Sequence, residues 1–174
     1  MLAALVAVMP VASFAIGDED ETPPKTTPTT ATCKATQIWD EKTKTCVDAQ
    51  DSRFDDGQRY EGVRELAYAL HLERALGVLS TMSNQQDARV LTYRGFIARK
   101  SGKMQDALAF YAAALEVDAE NILTRSYLGQ GFVTMGRTKE ARQQLDRIRE
   151  LGGAGSWAET SLARALETGQ TYGY

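Results

Sequence analysis

The chain has a single histidine, His71, only two cysteines and no surplus of positive charge. Each scarcity closes a class of function. His71 falls at the expected turn between the first two helices, in solvent, where no nucleophile–base arrangement can form around it. Two cysteines and one distant histidine cannot complete a tetrahedral metal site. No phosphate loop or dinucleotide fingerprint occurs, and Gly152-Gly153-Ala154-Gly155 lacks the Lys-Ser/Thr that would have to follow it. No catalytic residue, metal or cofactor is therefore expected, and the chain is read as a binding protein and not as an enzyme. A formal charge of −3 and a pI near 5.3 argue against a general nucleic-acid binder.

Charge is also missing from Met1 to Ile16. Leu2 to Val8 form an apolar core, and Ser13-Phe14-Ala15 places small residues where a leader peptidase cuts. This segment is expected to be a secretory signal peptide, residues 1–15, with a retained anchor as the alternative. It is shorter than the roughly 20 residues a membrane span needs, and Pro10 interrupts it, so no stable span is expected after cleavage. No Lys or Arg precedes the apolar run, and no Cys follows it directly. The protein is accordingly expected to be periplasmic or secreted.

Residues 16–32 read as a disordered linker, an acidic run Asp18-Glu19-Asp20-Glu21 followed by a Thr/Pro tract that biases the backbone to extended forms. In an exported chain the even pair Cys33 and Cys46 is expected to form a disulfide. It would close a hairpin over 33–48, with strand-favouring Thr36, Ile38, Thr45 and Val47 around an Asp40-Glu41-Lys42 turn. In the chain-entropy model such a loop is worth about 3 kcal/mol. Little of that is expected to reach the helical domain, because the hairpin lies outside the repeats. Trp39 inside this Cys loop resembles chitin-binding cystine modules. It has two open readings: stacking on a sugar ring, or covering the disulfide and docking on the first helix.

From residue 53 onward the pattern is helical and repeats. Gly95 and Gly129, Gly102 and Gly136, Ala107 and Ala141, and Tyr111 and Leu145 are all separated by one period of 34 residues. The clearest copy is 88–121, with Leu91, Gly95, Ala98, Gly102, Ala107, Tyr111 and Ala114; the next is 122–155, and a degenerate one covers about 56–87 without a glycine at its turn. These residues resemble the tetratricopeptide-repeat family, with Arg94 where the family usually has Leu and Ala119 where it often has Pro. The cystine segment ahead of them resembles the N-terminal parts of small exported envelope proteins of this family in Gram-negative bacteria. The resemblance implies an all-α fold of three helix pairs in a right-handed solenoid, spanning 53–167, closed by a capping helix over 156–167 and followed by a tail, 168–174.

It also implies that the first helix of each pair lines a concave surface. The first helices carry the bases. Ala88 to Gln105 holds Arg89, Arg94, Arg99, Lys100 and Lys103 with no acid, and Asn121 to Lys139 holds Arg125, Arg137 and Lys139 with no acid. Beside the packed stripe, helical spacing aligns Tyr60, Arg64 and Tyr68; Thr92, Phe96, Arg99 and Lys103; and Ser126, Gln130 and Val133. With the bases Arg89, Lys100 and Arg125, the residues Tyr60, Arg64, Tyr68, Thr92, Phe96, Arg99, Ser126 and Gln130 are the candidate partner-binding set. Forked guanidinium donors and aromatic rings suit a peptide or protein partner with carboxylates. The competing reading is a solvated helix face. The leading functional expectation is a protein–protein interaction module or scaffold of the cell envelope. The alternatives are cell-wall or polysaccharide binding through the Trp39 hairpin, and membership of an envelope assembly; self-association is possible.

Overall fold

The computed structural model of the protein describes residues 22–172. The expected leader and the acidic run lie outside them. A short helix α1 (Pro28–Ala31) leads into strands β1 (Gln37–Asp40) and β2 (Thr45–Asp48), then α2 (Asp56–Tyr68), α3 (Leu72–Leu79), α4 (Ala88–Lys100), α5 (Met104–Val117), α6 (Ile122–Thr134), α7 (Thr138–Glu150) and α8 (Trp157–Thr168). Helices pair as α2/α3, α4/α5 and α6/α7, and α8 closes the stack against α6 and α7.

The two helices of a pair start differently, and the reason is local. The first helices open from extended backbone, where Asp55, Asp87 and Asn121 accept a hydrogen bond from the first-turn amides. Ser156 does the same for α8. The second helices α3, α5 and α7 have no side-chain cap, because each begins directly after a left-handed turn. That turn is closed by one backbone bond of the same kind in all three pairs: His71 to Leu66 at 2.8 Å, Lys103 to Ala98 at 2.9 Å and Arg137 to Phe132 at 2.9 Å. Gly102 and Gly136 supply the positive φ in the second and third pairs, as expected. In the first pair, where the sequence lacks the glycine, Leu70 takes φ 60° with 60% of its surface in water. Leu70→Gly should relieve roughly 1–2 kcal/mol of left-handed strain against about 0.4–1 kcal/mol of added unfolded-state freedom. A small rise in the denaturant midpoint is expected; a fall would contradict the assignment.

Packing within the stack runs through glycines. A Cβ at Gly95 would lie 2.6 Å from Tyr111 Cδ1, and one at Gly129 would lie 2.6 Å from Leu162. The same device recurs where the sequence showed no repeat: a Cβ at Gly62 would meet Ile38 at 2.7 Å, and one at Gly77 would meet Thr36 at 2.8 Å. The hairpin is thus seated on α2 and α3 as the next layer of the stack. Ile38 and Ala49 belong to the same buried cluster as Val63, Leu66, Val78, Tyr93 and Tyr127. This corrects the expectation that the hairpin stands apart from the helical domain. Cys33 and Cys46 are bonded across it, with Trp39 opposite Cys46 in the antiparallel register.

The Thr/Pro tract is a second correction. It was expected to form no fixed structure, yet from Thr22 to Thr32 it lies as a strap over α2. Both the amide and the hydroxyl of Thr27, and both of Thr30, donate to the buried carboxylate of Glu65 at 2.6–3.1 Å. Arg64 donates to Thr22 O at 2.6 Å, and Arg74 donates to Thr29 O and Ala35 O. Composition read the absence of apolar side chains correctly. The strap is held by charge-assisted hydrogen bonds to residues far along the chain, which composition does not register.

Candidate partner-binding site

The first helices α2, α4 and α6 do lie side by side, and aromatic rings fill the seams between them. Tyr60 meets Tyr93 edge-on at 5.5 Å, Tyr93 meets Tyr127 at 6.4 Å, and Phe96 meets Tyr127 at 5.0 Å. Tyr60, Thr92 and Phe96, expected on an open groove, are therefore buried in the helix–helix contacts. Thr92 shares its hydroxyl with Thr124 of the next pair at 2.5 Å. The expectation that these side chains line an open concavity fails because three repeats curve too little surface around them to leave it uncovered.

The C-terminal end of the expected groove is closed in the same way. Ser126 and Gln130 are buried under α8: Ser126 Oγ lies 3.0 Å from Ser161 Oγ, and Gln130 Oε1 accepts the Tyr172 amide at 2.8 Å. The Tyr172 ring in turn lies under the Arg164 guanidinium at 5.6 Å. Arg125 does not join the inner face at all. It donates to Gln144 of α7 and to Ala119 O, and burial, with Arg147 nearby, holds its guanidinium below the usual value. At the other end Arg64 is buried against Glu61 and the strap. Arg89 pairs with Asp87 at 3.0 Å and covers the Tyr60 ring at 5.1 Å. Tyr68 is exposed at the end of α2.

Arg99 and Lys100 remain, and their setting is unusual. Arg99 is 6% exposed, yet none of its nitrogens meets a carboxylate among the described residues. Its Nε lies 3.4 Å from the Tyr111 hydroxyl, a long neutral hydrogen bond, and its buried Nη2 has no partner. The guanidinium is flanked by the rings of Phe96 at 5.6 Å and Tyr127 at 5.7 Å. Two such contacts return about 1–4 kcal/mol together, against a desolvation cost of several kcal/mol for a buried ion. Lys100, half-buried, rests 5.7 Å from the Phe96 ring. Burial, and then the neighbouring Arg99 charge, push its ammonium below the ordinary lysine value. Burial also pushes the Tyr111 hydroxyl up, so it stays a neutral phenol that accepts from the guanidinium.

Tyr93, Tyr111 and Tyr127 were missed from the sequence as part of this corner. Tyr93 and Tyr127 stand one repeat apart, so the period that revealed the glycines also carried them. Nothing in the sequence distinguished them from ordinary packing residues. Among the described residues no group of three His, Cys, Asp or Glu is placed to hold a metal ion, and no helix is long and apolar enough to cross a membrane.

Paired antiparallel helices stacked by small residues, with left-handed turns inside each pair and a cap at the end, define a helical-repeat solenoid. The family model described as tetratricopeptide repeat matches residues 98–156, the stretch from the end of α4 to the start of α8. The match and the helix pairs support a tetratricopeptide-repeat fold for the helical part of the chain, which carries a disulfide-closed hairpin at its N-terminal end. Such repeats in general mediate protein–protein interaction and are typically non-catalytic. No curated protein and no solved structure matches the chain.

Proposed function

We propose that the protein binds a carboxylate-bearing peptide or protein segment at the Arg99–Lys100 corner of its inner face. The single observation that carries this reading is a guanidinium nine-tenths buried, with an unpartnered nitrogen and no countercharge among the described residues. A ligand carboxylate there forms a forked, charge-assisted pair with Arg99 and brings the Lys100 ammonium back toward its ordinary state. We place the protein in an exported, envelope-facing role: the uncharged apolar stretch at Met1–Ile16 has the form of a leader, and a disulfide persists in oxidising compartments.

A labelled glutamate-rich peptide and its glutamine-rich counterpart provide the test. The acidic peptide should bind the full chain and the neutral one should not. Binding should weaken as salt rises, because charges at a half-open corner are screened over about 8–10 Å. Arg99→Ala with Lys100→Ala should weaken it at least about tenfold, the loss of one to two charge-assisted hydrogen bonds. Equal affinity for wild type and double variant at low and high salt would reduce the corner to a solvated surface.

A further inference from the structure

A second opening in the described residues lies away from Arg99. A cavity of about 650 Å³ separates the hairpin, the strap and α2, within the range of small-ligand sites. Its apolar lining includes Pro23, Pro24, Ile38, Trp39 and Phe54, and Gln58 stands among its polar groups. The strap and the hairpin come from opposite sides of Cys33, so no short segment of sequence holds this set.

The charges on the inner wall of the cavity are already committed, and Lys25 and Lys42 stand exposed at its outer rim. Arg64 is paired with Glu61, Asp40 with Arg53, and the Glu65 carboxylate is filled by Thr27 and Thr30. Asp40 is held below the usual carboxylate range by its hydrogen bonds from Thr43 and the Lys42 amide. An ionic ligand that enters the cavity would have to break one of these pairs, and the two lysines would meet it only at the mouth. An added peptide strand is blocked as well, because the outward amide of Trp39 on β1 is taken by Thr29 Oγ1 at 2.9 Å. Among the described residues the indole N–H of Trp39 and the amide nitrogen of Gln58, whose oxygen accepts from the Asp55 amide at 3.1 Å, donate to no protein group. A half-exposed indole with neutral donors and a neutralised inner wall matches a molecule that has one apolar face and a ring of hydroxyls.

We infer that this cavity binds a neutral sugar unit of a glycan, with Trp39 as the stacking surface and Gln58 as a hydrogen-bonding contact. The site is separate from the Arg99 corner and does not depend on it. The full chain is titrated calorimetrically with a β-1,4-linked glucose trimer and with an N-acetylglucosamine trimer. Saturable binding of at least one trimer in the millimolar range or tighter is expected. Trp39→Ala should weaken it about tenfold or more. Trp39→Phe, which keeps a ring and guards against a folding defect, should weaken it less. Gln58→Glu keeps the oxygen that caps α2 and removes the donor, and should lower affinity severalfold. Arg99→Met should bind the sugar as wild type does. Failure of both trimers to saturate wild-type protein, or wild-type affinity in Trp39→Ala, overturns the inference.

Discussion

Arg99→Met is expected to give a protein that melts higher than the wild type and no longer holds an acidic peptide. Met matches the length of the arginine stem, fills the space between Phe96 and Tyr127, and brings no charge into it. Replacing a buried, imperfectly compensated ion by an apolar residue of similar volume gains about 1–4 kcal/mol in known cases. At the lower half of that range the melting temperature should rise by roughly 2–8 °C for a domain of this size. Peptide affinity should fall about tenfold or more, since the forked donor is gone. Arg99→Lys separates the two effects: it keeps the charge, so it should give no stability gain, but it loses the bidentate geometry and so part of the binding. The decisive combination is circular-dichroism melting with calorimetry on the same variants. A lower melting temperature for Arg99→Met together with unchanged peptide affinity would show that the guanidinium serves the fold alone.

Gly95→Leu should have the largest effect on the fold. A Cβ at this position already collides with the Tyr111 ring, and Leu adds three further carbons in the same direction. Tyr111 cannot move aside freely, because it is fully buried and 6.5 Å from the Tyr127 ring across the next pair. Overpacking of this kind costs roughly 1–3 kcal/mol where the core can yield. Here it should exceed that range, enough to melt the α4/α5 pair and uncouple the hairpin end from the α8 end. Ala107→Leu, in the facing helix and also fully buried, should act in the same direction. Amide hydrogen exchange gives the readout: protection should be lost across 88–117. Wild-type protection in Gly95→Leu would mean that α4 and α5 do not pack as described.

These two variants rest on different kinds of information. Gly95, Gly129, Ala107 and Ala141 are legible in the sequence because the 34-residue period is local and every turn of the stack obeys the same steric rule. The order of helices, the left-handed glycine turns at 102 and 136, the capping helix and the Cys33–Cys46 pairing all follow from residues close in the chain or repeated along it. So does the basic bias of the first helices, and with it the choice of Arg99 and Lys100.

Sequence position could not decide which of those side chains meet water. Helical spacing set Thr92, Phe96, Arg99 and Lys103 on one face but was silent on how closely the neighbouring helix approaches it. The tertiary structure buried Thr92 and Phe96 in the α4–α6 seam, turned Arg125 toward α7 and covered Ser126 and Gln130 with α8. It also brought Glu65 to Thr27 and Gly62 to Ile38, making the strap and hairpin part of the stack and opening the cavity beside Trp39. Periodicity and composition belong to neighbouring residues, and a chain can show them without folding. A buried charge without a partner, and a cavity between three segments, exist only once distant residues have been brought together and water has been excluded from between them.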